Sequence, residues 1–176
     1  MKLLITDLDD TLYSWIGFFI PAFYAMAEEL SGLLGVDRET LLEEYRAIHR
    51  EKGGVEYPYA TLHLPSVRRA YPGRTEKELL SELDPAFHRF NSVRKSRLRL
   101  YPQVKETLTA VREMGLSIVG YTESAEENGF YRLRKLGIDG LFRQVYVSDS
   151  QFERPGHLAS SPKTRIVQGK KPNPEL

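Results

Sequence analysis

The first eleven residues constrain the fold most, because Lys2-Leu3-Leu4-Ile5-Thr6 runs directly into Asp7-Leu8-Asp9-Asp10-Thr11. A short apolar run closed by carboxylates predicts a buried parallel strand with a reactive site at its carboxyl end, where open α/β sheets bind ligands. Side chains at i and i+2 of a strand project to the same side, so Asp7 and Asp9 can address one ligand, as a metal ion and an electrophile require. The competing reading makes Asp7, Asp9 and Asp10 turn formers that merely close a strand.

Two later segments bear on that choice. The apolar run Leu116-Ser117-Ile118-Val119-Gly120-Tyr121 ends in Thr122, and beyond Val145-Tyr146-Val147 the chain reaches Gly169-Lys170-Lys171-Pro172-Asn173-Pro174. Taken in order, the three segments resemble the haloacid dehalogenase (HAD) superfamily of phosphohydrolases. Its Asp-x-Asp-x-Thr motif matches Asp7, Asp9 and Thr11, its strand-end Thr matches Thr122, and its Lys-Pro-x-Pro matches Lys171. The fold this implies is α/β, a doubly wound parallel sheet (a HAD-like Rossmannoid core) with an inserted α-helical cap. The core would comprise residues 1–13 and 97–176, and the cap residues 14–96.

The resemblance also implies a mechanism. Asp7 would attack a phosphate ester and form an aspartyl-phosphate, dividing one hard hydrolysis into two easier steps. A carboxylate approaching a phosphate meets charge repulsion, so Mg²⁺ is expected, held by Asp7 and by Asp9 through its main-chain carbonyl. Asp9 would protonate the leaving alkoxide and then activate water. Thr122 and Lys171 would bind the phosphate. True dehalogenases lack an acid at the position of Asp9, which favours a phosphatase acting on a small phosphorylated metabolite. Glu123 departs from the family, where Asn or Gly commonly follows the strand-end Thr; a carboxylate there would repel phosphate unless directed away.

The family's fourth motif, which supplies further carboxylates to Mg²⁺, should follow the Lys, whereas this sequence ends at Leu176. Asp149 precedes the Lys and reads as a loop residue. A truncated form, an inactive remnant and a sheet completed by another chain all fit this ending. Truncation is preferred because Pro172 to Leu176 reads as a helix just beginning. The expectations are weak or absent turnover by this chain alone, and self-association through an unpaired apolar edge at Leu3 to Leu8. A non-catalytic HAD-fold binding protein is the rival reading, and a phosphoryl transferase the third.

Composition agrees with a soluble globular protein: 176 residues, 41% of them hydrophobic, are enough to bury a core. The net charge of +1 calls for neither nucleic acid nor an anionic membrane, and the absence of cysteine fits the cytoplasm. The aromatic stretch Leu12 to Ala27 follows three acids, is broken by Pro21 and is too short to span a bilayer, so it reads as the start of the cap.

Within the cap, Asp37 is expected to cap a helix bearing Leu41, Tyr45 and Ile48 on one face, and Thr75 with Glu78 to form a capping box. Gly53-Gly54 and Tyr57-Pro58 interrupt these helices. In the core, Pro102 and Gly115 bracket a helix, and Ser124 with Glu127 reads as a second capping box. Gln151 to Gln168 reads as an irregular loop. The basic run Arg89, Arg94, Lys95, Arg97 and Arg99 reads as a solvated face, and His49, His63, His88 and His157 lack metal-ligand spacing.

Overall fold

The apolar run Leu3–Thr6 is strand β1, which pairs in parallel with β2, Ser117–Ala125. Strands β3, Phe142–Ser148, and β4, Thr164–Val167, continue an all-parallel sheet in the order β1-β2-β3-β4. The computed structural model describes residues 2–56, 60–149, 161–168 and 171. Expectations at Tyr57-Pro58, within 151–160 and at Pro172 to Leu176 lie outside the described residues. The chain divides into two compact units, Met1–Ile16 with Leu98–Leu176, and Gly17–Arg97.

The second unit is helical. It comprises α1 (Trp15–Leu34, beginning in the first unit), α2 (Arg38–Lys52), α3 (Ala60–His63), α4 (Pro65–Ala70), α5 (Glu76–Glu82) and α6 (Asp84–Arg97). Pro21 does not break α1, contrary to the sequence reading. An internal proline costs a helix about 3 kcal/mol. Here Phe18, Phe19, Ala22, Met26, Ala27 and Leu30 are all buried along the same helix, which outweighs that cost. Asp37 caps α2 by accepting from the Glu39 and Thr40 amides, and Gly53 closes it in the left-handed conformation. Thr75 and Glu78 form the expected capping box on α5. Leu30, Leu41, Tyr45, Leu62, Leu79 and Leu83 make the centre of this unit's core. No helix among the described residues is long and apolar enough to cross a membrane.

The chain re-enters the sheet unit beside the point where it left, since the Tyr101 amide donates to the Leu12 carbonyl at 2.9 Å and Leu100 bridges Tyr13. Helix α7, Val104–Glu113, then leads through Gly115 into β2, and α8, Glu126–Lys135, links β2 to β3. The Ser124–Glu127 capping box does not form. Strand β2 continues to Ala125, which takes the N-cap position without a side-chain bond, and Ser124 is turned elsewhere. The expected loop before Lys171 contains β4. A buried Glu126 on α8 accepts the Ser161 amide at 2.8 Å and the Thr164 hydroxyl, fixing the segment that then pairs with β3.

Two glycines allow the close packing at the carboxyl end of β2. A Cβ at Gly120 would lie 3.1 Å from Leu8 and 3.3 Å from Phe142 and Val145. One at Gly129 would lie 3.2 Å from Thr122 Cγ2, so α8 crosses that strand end at a distance that any larger residue would crowd. On the other side of the sheet, β1 has no second neighbour among the described residues, and Leu3 and Ile5 are 46% and 62% exposed.

Candidate active site at the carboxyl edge of the sheet

After β1 the chain turns back on itself, the Thr11 and Leu12 amides both donating to the Leu8 carbonyl. Leu8 itself is fully buried. Asp10 adopts a left-handed conformation (φ 55°), which a short polar side chain tolerates, and its Oδ1 accepts the Trp15 amide at 2.8 Å. The turn-former reading thus describes Asp10. Asp7 and Asp9 are also engaged by side chains from far along the sequence.

Asp7 Oδ1 accepts the Leu8 amide at 2.8 Å and the Lys171 ammonium at 2.6 Å, whereas its Oδ2 has no partner among the described residues. Lys171 is itself placed by β2. Its Nζ donates to the Tyr121 carbonyl at 2.6 Å and rests 4.7 Å from the centre of the Tyr121 ring, a cation–π arrangement. Its main-chain N–H donates to Glu123 Oε1 at 2.9 Å. The carboxylate that departs from the family pattern is therefore occupied in holding the Lys171 backbone.

Asp9 lies in a denser network. Its Oδ2 accepts hydroxyl bonds from Thr122 (2.8 Å) and Ser124 (2.9 Å), and its Oδ1 accepts Arg132 Nη1 at 2.7 Å. Arg132 also donates to Ser124 Oγ at 2.9 Å. Thr122 and Arg132 are buried, and Tyr13, wholly buried, lies alongside. Burial first, and then the Asp9 charge, push the Tyr13 phenol well above its ordinary 10.0, so it stays protonated.

The structure brings Asp7 together with Lys171, and Asp9 with Thr122. Sequence reasoning missed Arg132, Ser124 and Tyr121. The available signal for Arg132 was a charge directly beside Leu133 on the apolar stripe of α8, three residues after Gly129.

Magnesium is the cation the resemblance implies, and the donors suit it in part. Asp7 Oδ2 and the Asp9 main-chain carbonyl are hard oxygen donors, and Mg²⁺ commonly takes one or two carboxylates, with water and substrate phosphate completing its shell. Among the described residues no cluster of three or more His, Cys, Asp or Glu could hold a metal. These donors therefore fit an ion shared with a bound phosphate better than a cage built from protein alone.

No model of a known protein family matches the chain. Two curated proteins, the glyceraldehyde 3-phosphate phosphatases of Methanocaldococcus jannaschii and Methanopyrus kandleri, are each 27% identical to it over 85% of its length. The chain covers 63% and 62% of those relatives, a little over three fifths of their length. A solved HAD phosphatase from Thermococcus onnurineus matches 84% of the chain, and 62% of its own, at 17% identity and a TM-score of 0.47. The chain is thus distantly similar to two curated glyceraldehyde 3-phosphate phosphatases. In that light, the engagement of Asp9 by a buried arginine is a feature of this chain that its motifs did not announce.

Proposed function

We propose that this chain carries the catalytic half-sites of a phosphatase that hydrolyses a small phosphate monoester through an aspartyl-phosphate on Asp7. The observation that carries the reading is the Asp7 carboxylate at a parallel sheet's carboxyl edge, with one oxygen held by Lys171 and the other unengaged among the described residues. In the first step an Asp7 oxygen bonds to phosphorus as the ester P–O bond breaks, and the departing oxygen takes its proton from Asp9. In the second, water attacks phosphorus, its proton passes to Asp9, and the Asp7–phosphorus bond breaks to release inorganic phosphate. Lys171 offsets charge on Asp7 and on the phosphoryl oxygens. Thr122 binds one of those oxygens with the hydroxyl that now donates to Asp9.

Magnesium, held by Asp7 and the Asp9 carbonyl, would neutralise the charge that otherwise keeps carboxylate and phosphate apart. The names of the two curated relatives support a small sugar phosphate as substrate class. The test is phosphate release from 4-nitrophenyl phosphate with Mg²⁺, comparing the unsubstituted chain with Asp7→Asn. Release that disappears in Asp7→Asn is the expected result; equal residual rates in both proteins would overturn the reading.

A further inference from the structure

Thr122 has one hydroxyl proton, and in this structure it goes to Asp9 Oδ2 while the Thr122 oxygen accepts the Ser124 amide at 3.0 Å. A phosphate oxygen bound at Thr122 would compete for that proton and withdraw one of the donors that hold Asp9. The donors that remain include Ser124, on Oδ2, and Arg132, on Oδ1. Arg132 Nη1 reaches both Asp9 and the Ser124 hydroxyl, so one nitrogen steadies the carboxyl directly and through its other remaining partner. The guanidinium is 4% exposed, and α8 brings it there because Gly129, one turn earlier, lets the helix close on Thr122. A buried guanidinium is retained where it is paired, and one carboxylate that pairs it here is the proposed proton donor.

We infer that Arg132 is a positioning residue, which keeps the Asp9 carboxyl oriented for proton transfer to the leaving oxygen while Thr122 gives its hydroxyl bond to the substrate phosphate. The inference rests on the phosphatase reading above. A purely architectural ion pair between α8 and the β1 turn would affect every substrate alike. A positioning role slows the first step, which kcat/KM reads, only for esters whose leaving group needs a proton, because the second step, in which Asp9 takes the proton of water, is common to all esters.

Phenyl phosphate and 2,4-dinitrophenyl phosphate separate these roles, since phenolate departs poorly without a proton whereas dinitrophenolate needs none. With the full chain and Mg²⁺, Arg132→Gln is expected to lower kcat/KM on phenyl phosphate by about 10²-fold, the lower range of acid–base contributions. On dinitrophenyl phosphate kcat/KM should fall only a few-fold. Arg132→Lys retains the buried charge but not the reach to both partners; it should show an intermediate gap, and it is the variant to rely on should the glutamine protein not fold. Equal losses on the two esters, or none, would overturn the inference. If the unsubstituted chain shows no Asp7-dependent turnover of either ester, the phosphatase reading fails, and this inference with it.

Discussion

A Cβ placed on Gly129 would press on Thr122 Cγ2 at 3.2 Å, with Ser124 Cβ at 3.7 Å just beyond. In an ordinary helix interior, replacing glycine gains up to about 1 kcal/mol of backbone preference. At this position the gain is cancelled by overpacking, which typically costs about 1–3 kcal/mol. Gly129→Val is accordingly expected to lower the urea midpoint without changing the slope of the transition. The same substitution should weaken the Asp9–Arg132 contact, since α8 must retreat from β2. Glu123 offers a second residue-level prediction. Because its carboxylate accepts the Lys171 N–H, Glu123→Ala should raise KM for an aryl phosphate, whereas an anion that merely repelled substrate would give a lower KM on removal. Initial-rate kinetics on the two proteins distinguish these signs.

At the scale of elements, α2 links burial to pH. His49 lies against the rings of Phe23 and Tyr45 at tilted angles, and burial lowers its pKa below the ordinary 6.5. The folded state thus favours neutral imidazole, and this contribution is intact above about pH 6.5. As the pH falls below that value the unfolded chain takes up a proton first, so stability declines until the folded His49 also titrates. His49→Leu should flatten the decline of the stability curve below about pH 6.5, as read from denaturation midpoints; an unchanged slope would count against it. The capping box on α5 makes a simpler case, and Thr75→Ala should cost about 0.5–2 kcal/mol. These elements were legible because caps and apolar stripes are local. Asp7, Asp9, Thr122 and Lys171 were legible for a related reason, each lying beside an apolar run or a proline. Ser124 was misread because spacing alone does not reveal that β2 runs on to Ala125. Strand β4 was missed because its ordering comes from a buried carboxylate on α8, 38 residues earlier in sequence. Arg132 acquires its partner only from the packing of α8 on β2, which no local pattern encodes.

For the molecule as a whole, the edge of β1 is the exposed liability. Its apolar side chains Leu3 and Ile5 face outward beside backbone groups with no neighbouring strand among the described residues. Such an edge recruits another strand unless a charge blocks it. The weight-average mass of this chain from light scattering should therefore rise with concentration, and Ile5→Lys should suppress the rise; a mass that stays monomeric for both proteins would refute the expectation. The pairing of Asp7 with Lys171 has a different consequence, one that concerns synthesis. The two residues are 164 positions apart, so as the chain leaves the ribosome Asp7, the proposed nucleophile, emerges near the beginning and its countercharge only after every described strand has been made. The β1 turn and the Asp9 network can form earlier, from Thr122, Ser124 and Arg132. A nascent chain would thus hold Asp9 in its network before Asp7 has a cation beside it, so the pairing of Asp7 is completed only when synthesis has passed Lys171.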